Sequence, residues 1–139
     1  MEIIHNRPDA TPGPADFFSG HVWVEPAAIV DNDPQHLNVL KVHFAPGART
    51  AWHSHPAGQV LYVLEGTGRV QERGEPLYEM REGDSVVTAP EVWHWHGASP
   101  GHFMIHLAIQ QPDPNGGETQ WGQHVSEADY NSDVANPCD

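Results

Sequence analysis

Apolar residues fall in short runs along the chain, many alternating with polar positions, and glycine or proline separates most of the runs. Alternation with a period of two is typical of a half-buried β-strand, and no segment sustains the 3.6-residue apolar period of a long helix. The regular spacing of the runs predicts an all-β domain, a sandwich or barrel. Strands are predicted at His21–Glu25, Leu37–Phe44, Thr50–His55, Val60–Glu65, Gly68–Arg73, Pro76–Met80, Asp84–Ala89, Trp93–His96 and His102–Gln110, with a short helix starting at Ser126.

Alternation assigns the side chains of two of these predicted strands to faces, and one face of the last strand suits a pocket wall. In the second strand, Leu40 and Val42 point to the same side. In the last strand, His106, Ala108 and Gln110 share one mixed face. A wall that combines apolar area with a few polar groups is typical of small-molecule sites.

The opposite face of the last strand is wholly apolar, with Phe103, Ile105, Leu107 and Ile109. A small barrel cannot bury both faces of every strand within itself. We therefore expect this face to meet a partner copy, in a homodimer or homotetramer. The alternative cover is the N-terminal segment around Phe17 and Phe18.

A chain of 139 residues fits one domain, 1–139, with an N-terminal arm over about 1–20 and a frayed polar tail over 131–139. No apolar run approaches the roughly 20 residues that cross a bilayer. The N-terminal residues lack the basic and apolar regions of a secretory signal. The only cysteine, Cys138, allows no internal disulfide. Together these features predict a cytoplasmic protein.

The net charge of the chain limits the classes of molecule that it can bind. Six basic residues stand against nineteen acidic ones, a formal charge of −13. Such a surface repels phosphate backbones, so we expect neither a nucleic acid nor a membrane as partner, but a small-molecule substrate. Lys41 is the only lysine, which disfavours Schiff-base chemistry.

Histidines supply the candidate chemistry. His53 and His55 would share one face of a strand, and Gln59 follows across a Pro-Ala-Gly turn. The cluster that contains His94 and His96 can add a nitrogen from a neighbouring strand. An isolated His-x-His pair is more often structural, so the surrounding spacing decides between the two interpretations.

That spacing, Gly47-x5-His53-x-His55-x3-Gln59-x6-Gly66, resembles the first signature of the cupin superfamily, with glutamine where glutamate is commoner. Residues 83–94 resemble the second signature, although Ala89, Glu91 and Ala98 replace the usual proline, glycine and asparagine. The resemblance implies a single cupin domain, a jelly-roll barrel also described as a double-stranded β-helix. It also implies one divalent metal ion per chain, bound by His53, His55, Gln59 and His94. Neutral nitrogen and amide ligands suit manganese, iron, nickel or zinc.

Further segments, at residues 14–20, 46–53, 94–98 and 106–110, are similar to a group of small bacterial single-domain cupins. That group includes manganese-dependent hydroxynitrile lyases, which cleave or form aromatic cyanohydrins. The resemblance implies manganese, a catalytic acid–base role for His106, and His96 beside it in the catalytic site. It also implies a substrate pocket with Leu40, Val42 and Gln110. Leu40 is bulkier than the small residue expected at its position.

Two other functions are compatible with the same motifs. One is a cupin dioxygenase that acts on an enol or catechol-like small molecule, for which oxygen uptake would track the bound metal. The other is a non-catalytic cupin that binds a small ligand in a metal-dependent manner and turns nothing over.

Overall fold

The computed structural model describes residues 1–5 and 9–137, which excludes Cys138. The described residues form twelve strands and one short helix. Their bounds are β1 Thr11–Pro12, β2 Phe18–Ser19, β3 Val22–Asn32, β4 Gln35–Phe44, β5 Arg49–Thr50, β6 His53–Ser54, β7 Gln59–Glu72, β8 Leu77–Arg81, β9 Ser85–Thr88, β10 His94–Ala98, β11 Met104–Gln110, β12 Gln120–Trp121 and α1 Glu127–Tyr130. The all-β prediction is confirmed. Within the described part of the chain, no helix is long and apolar enough to span a membrane.

The strands form one curled antiparallel sheet in the order β1-β3-β4-β11-β7-β10-β5-β2. β8 and β9 pair with β7, and β6 lies between β10 and β12. The sheet curls because β7 belongs to both halves: its first part pairs with β11 and β9, and its second part pairs with β10 and β8. The curled sheet encloses the core and leaves its other face outside.

Three differences separate the observed strands from the predicted ones, and contacts between segments distant in sequence cause the first two. The predicted strands 60–65 and 68–73 are the single strand β7, which passes through Gly66 at φ 82° without ending. A Cβ at Gly66 would lie 2.0 Å from the carbonyl oxygen of Phe103, so only glycine allows the neighbouring chain this close. The predicted strand 50–55 is divided into β5 and β6, because the N–H groups of Ala51 and Trp52 donate to the loop carbonyls of Phe17 and Gln123. The first predicted strand continues to Asn32 as one arm of a long hairpin.

The alternation predicted for β4 and β11 gives their observed faces. Val42 and Phe44 are buried inside the curled sheet, and on β11 the inward residues Met104, His106 and Ala108 are buried. These residues pack with Leu61 and Val63 of β7 into the main core. The cavity described below opens between the same strands.

The C-terminal region packs against the outside of the curled sheet. α1 begins after Ser126, as predicted, and the Ser126 hydroxyl accepts the backbone N–H of Asp129 at 3.1 Å. Tyr130 is buried with Trp95 in a second apolar cluster. The predicted frayed tail is instead docked over its described part, to residue 137: the Ala135 N–H donates to the Leu77 carbonyl at 2.8 Å. That bond satisfies backbone groups at the edge of β8.

Candidate metal centre and pocket

Two histidines face each other across the short strand β6 and its neighbour β10. His53 pairs with His94 in the antiparallel register, and their ring centroids lie 4.3 Å apart. His55 follows two residues after His53, with ring centroids 5.0 Å apart. All three side chains are buried. The strand pairing therefore brings imidazoles from two motifs to one place.

The outer nitrogens of two of these rings are bound to main-chain carbonyls. His53 Nδ1 donates to the carbonyl of Ala51 at 2.9 Å, and His94 Nδ1 donates to that of Val92 at 3.0 Å. A carbonyl accepts but cannot donate, so each Nδ1 carries the proton. Each Nε2 therefore presents a lone pair to the interior, as metal-binding histidines do.

His55 and Gln59 face the same interior space. His55 Nδ1 is hydrogen-bonded to the Thr119 hydroxyl at 3.0 Å. Its Nε2 is buried and has no hydrogen-bond partner among the described residues. The side-chain nitrogen of Gln59 donates to Gln110 Oε1 at 2.9 Å, and Gln59 Oε1 lies 3.3 Å from His94 Nε2.

This last contact joins two acceptors. His94 Nε2 carries no proton while Nδ1 donates to Val92, and an amide oxygen never carries one. Two facing lone pairs at this distance repel each other unless a cation lies beside both. The donor set therefore fits a divalent ion that prefers nitrogen and oxygen ligands.

His96 also reaches the cluster. His53, His94 and His96 each offer a ring nitrogen, and these nitrogens all lie within 4.8 Å of one another. His96 Nε2 is buried without a hydrogen-bond partner in the described part of the chain. The geometry thus gathers the four residues whose metal role the resemblance implied, and adds His96 as a further nitrogen.

Burial keeps these imidazoles neutral. Loss of solvent lowers the pKa of His53 and of His96 well below the usual histidine value, and the neighbouring histidines lower both further. Burial and the adjacent His94 lower the pKa of His55 to about 4. Burial lowers the pKa of His94 as well. A histidine must be neutral to bind a metal, so the set is ready for an ion at neutral pH.

A cavity of about 250 Å³ adjoins the cluster. The residues that sequence reasoning placed in the pocket or catalytic site all line it: Leu40, Val42, His96, His106 and Gln110. Five of its other lining residues have apolar side chains: Phe18, Val24, Phe44, Ala108 and Trp121. The cavity wall is therefore partly apolar and aromatic, and it also carries the histidines.

His96 and His106 form a buried pair in the wall of this cavity. Nε2 of His106 and Nδ1 of His96 are hydrogen-bonded at 3.0 Å. The second nitrogen of His106, Nδ1, is buried and has no hydrogen-bond partner among residues 1–5 and 9–137. Burial lowers the pKa of His106 to about 3, so it is a neutral proton acceptor at neutral pH.

Comparison with known proteins agrees with this geometry. Residues 40–107 match the cupin domain family. The chain is 44% identical over 118 residues to the (R)-mandelonitrile lyase of Granulicella tundricola, an alignment that spans 85% of this chain and 88% of that protein. This chain is a cupin.

Solved structures of other proteins share the fold of this cupin. A cupin-like protein of Thermotoga maritima is 41% identical and superposes with a TM-score of 0.82, over 93% of this cupin and 95% of that chain. A polyketide cyclase of Streptomyces resistomycificus has a TM-score of 0.67 at 18% identity, over 94% and 91% of the two chains. At that identity the likeness concerns the fold alone. Both fold predictions, all-β and cupin, are confirmed.

Sequence reasoning assigned no role to several residues that contact the site of this cupin. Thr119 bonds His55, and Trp121 stacks on His53 with ring centroids 4.7 Å apart. Phe18 and Phe44 line the cavity. The alternation in β4 already put Phe44 on the face of Val42. No comparable signal marked Thr119, because the short strand beside it is defined only by its pairing with β6.

Proposed function

We propose that this cupin is a metal-dependent carbon–carbon lyase that cleaves or forms small aromatic cyanohydrins. One observation carries the proposal: a cluster of neutral metal donors and a buried histidine pair open onto the same partly aromatic cavity. The related (R)-mandelonitrile lyase supports the choice of reaction. Membership of the cupin family alone would leave the chemistry open.

His53, His55, Gln59 and His94 hold the ion in this proposal, with manganese first and iron, nickel or zinc as the other ions that suit the donors. His53 and His94 have their Nδ1 atoms fixed by carbonyls, and His55 has its Nδ1 fixed by a hydroxyl. The bond between His96 Nδ1 and His106 instead couples His96 to the catalytic pair. A divalent ion bound here supplies Lewis acidity toward an oxygen or cyanide ligand.

The histidine pair moves the proton. His106 takes the proton of the substrate hydroxyl, and the 3.0 Å bond to His96 spreads the resulting charge over two rings. The oxygen electrons form the aldehyde carbonyl while the bond between the carbinol carbon and the nitrile carbon breaks. The electron pair of that bond leaves with cyanide, and the proton passes to it to give hydrogen cyanide. Synthesis follows the same steps in reverse.

The apolar side chains of the cavity wall select the aldehyde part of the substrate. Leu40, Val42 and Phe44 form one wall, and Phe18 and Trp121 border it. These side chains offer contact to a phenyl ring and no partner for a charged group. A volume of about 250 Å³ lies below the roughly 300–1,000 Å³ typical of sites for drug-sized ligands, so the substrate is small.

The experiment is a paired assay on the protein stripped of metal and reloaded with Mn²⁺. Mandelonitrile is the substrate, and both benzaldehyde formation and cyanide release are followed. We expect equal amounts of both products from the loaded protein and background rates after chelation. Absence of cyanide release, together with rapid oxygen uptake on a catechol or enol, would assign the dioxygenase function. Binding of benzaldehyde without turnover of any of these substrates would assign the binding function.

A further inference from the structure

We infer that residues 110–121, which follow the matched cupin region 40–107, orient three of the four proposed metal ligands. The inference rests on the proposed metal site. In this chain all four proposed ligands lie inside the matched region, whereas Gln110, Thr119 and Trp121 lie beyond it. These three are positioning residues, because each acts on the ion only through the ligand it contacts.

Gln110 decides which end of the Gln59 amide faces the ion. Its Oε1 accepts the Gln59 amide N–H at 2.9 Å, which leaves Gln59 Oε1 directed at the cluster. Without that acceptor, the amide gains by rotating so that its N–H donates to the lone pair on His94 Nε2. The rotated amide would offer the ion an NH₂ group, which is not a metal ligand. Gln110 therefore opposes a rotation that would close the site.

Thr119 holds His55, the one proposed histidine ligand whose ring has no main-chain partner among the described residues. Both His53 and His94 donate from Nδ1 to a carbonyl two residues earlier in the chain. For His55 the Thr119 hydroxyl, 3.0 Å from Nδ1, takes that place. A hydroxyl can accept from Nδ1 or donate to it; when it accepts, Nε2 is left free for the ion.

Trp121 limits the movement of His53. The indole stacks on the imidazole at 4.7 Å and 29°, and Phe17 stacks on the other side of the indole at 4.4 Å and 18°. The main chain fixes this stack, because Trp121 pairs with His53 in the register between β12 and β6. Gly122 continues the contact, with its N–H donating to the Trp52 carbonyl at 2.7 Å.

The test measures the affinity of the metal-free protein for Mn²⁺ by competition with a fluorescent chelator. Loss of an outer partner of a metal ligand typically weakens binding by about 10–100-fold. We expect a loss of that size in Thr119→Val, which keeps the shape but removes the hydroxyl, and in Gln110→Met. Thr119→Ser and Gln110→Glu keep an acceptor at each position, and we expect affinity within a few-fold of the unsubstituted protein.

Gln120→Met is the matched control. Gln120 directly follows Thr119 and begins β12, but its side chain donates to the Glu118 carbonyl at 3.3 Å. We expect its Mn²⁺ affinity to stay unchanged. The visible spectrum of the Co²⁺-loaded protein adds a second readout, because Gln110→Met should alter the bands through loss of the amide oxygen while general loosening of the fold should not. Thermal unfolding of the metal-free variants checks that each is folded.

Two results overturn the inference: unchanged Mn²⁺ affinity in both Thr119→Val and Gln110→Met, or equal losses in their conservative counterparts. If the unsubstituted protein binds no divalent ion, the inference and the metal site fall together. If it binds Mn²⁺ tightly but releases no cyanide from mandelonitrile, the proposed function fails, and the affinities still decide the inference.

Discussion

Gln59 Oε1 and His94 Nε2 lie 3.3 Å apart across the candidate metal centre, and both atoms present lone pairs. A hydrogen bond holds each side chain in this orientation: Gln59 donates to Gln110, and His94 donates to the carbonyl of Val92. The protein thus keeps two electron-rich atoms together that water or an N–H would otherwise separate. Such a contact is favourable when a cation neutralises it, which makes ligand identity the first matter to test.

Single alanine substitutions should separate the ligands from their neighbour. We expect His55→Ala and His94→Ala to lose most of the bound metal, because each removes an imidazole whose Nε2 is a proposed ligand atom. His96→Ala should keep it, since His96 acts with His106. Elemental analysis of the purified variants measures this. Retention in His55→Ala with loss in His96→Ala would instead make His53, His94 and His96 the ligands.

Removal of His106 should affect the rate without affecting the ion. A general acid–base typically contributes about 10²–10⁴-fold, so we expect His106→Ala to slow mandelonitrile cleavage by about two orders of magnitude or more. Its metal content should equal that of the unsubstituted protein. His102→Ala, an exposed histidine on the segment before β11, is the control. A normal rate in His106→Ala would exclude it from the chemistry.

Leu40 should set the upper size of the substrate. It lines the cavity and pairs with Ala108 in the sheet, so Leu40→Ala opens space beside a small neighbour. We expect the ratio of rates for a naphthyl and a phenyl cyanohydrin to rise at least several-fold. Exposed Leu37 on the same strand provides the control, Leu37→Ala. An unchanged ratio would show that Leu40 does not limit the pocket.

The metal-free protein should lose stability on mild acidification. Burial lowers the pKa of His55 to about 4 and that of His106 to about 3, whereas in the unfolded chain both titrate near 6.5. Between those values the unfolded state binds more protons, so the free energy of unfolding falls as pH drops below 6.5. Each histidine contributes up to about 1.4 kcal/mol per pH unit.

Denaturant titrations at pH 7 and pH 5 measure this effect on chelated protein. The His106→Asn variant should show a shallower dependence on pH, because one of the buried titrating groups is gone. Identical midpoints at both pH values for the unsubstituted protein would contradict the prediction. Bound Mn²⁺ should raise the stability at pH 7 without weakening the dependence on pH, since the ion binds only neutral imidazoles and protons compete with it for the same nitrogens.

We also propose that the outer face of the sheet joins two copies in a homodimer. Phe17 and Phe18, the alternative cover, contact Trp121 instead, and Phe18 also contacts Phe44 inside. This face carries a groove of about 310 Å³, lined by Glu25, His43 and Phe103 among others, which we call the outer groove. Phe103 is 47% exposed there. The partner is a second copy because the Glu25 carboxylate on this face is paired with Lys41 at 4.0 Å, whereas the whole chain carries −13. A homotetramer would need a further face.

Light scattering at micromolar concentration measures the mass of this proposed dimer. Phe103→Glu should give the monomer mass, because a carboxylate in the outer groove would face its own copy. Tyr78→Glu is the control, since Tyr78 is comparably exposed on β8, which does not border this groove. A monomer mass for the unsubstituted protein would contradict the dimer.

Sequence reasoning predicted the wall of the cavity from the family resemblance, and the strict alternation of strand side chains agrees with it. Once Val42 was assigned to the inner face of β4, Leu40 followed, and His106 and Gln110 followed in the same way on β11. The same reasoning could not find Thr119. Its contact with His55 depends on a loop that returns across the barrel, and no local pattern encodes that path.

The strand boundaries failed where tertiary contacts override local signals. Gly66 is a turn residue by composition, yet here it continues β7 because Phe103 needs the space above it. The division between β5 and β6 likewise depends on carbonyls of distant residues. Both features result from contacts between segments that are distant in the sequence, so local sequence patterns cannot predict them.

The continuity of β7 has a consequence for engineering the site. One unbroken strand carries Gln59 at its start and, further along, Val70 and Glu72 as the pairing partners of His96 and His94. The curvature of this backbone therefore sets the separation between the amide oxygen and the imidazoles, independently of any side-chain choice. Redesign of metal preference can accordingly begin remotely, at residues that pack against β7 near Gly66 and not at the glycine itself, and leave every atom that touches the ion or the substrate chemically unaltered.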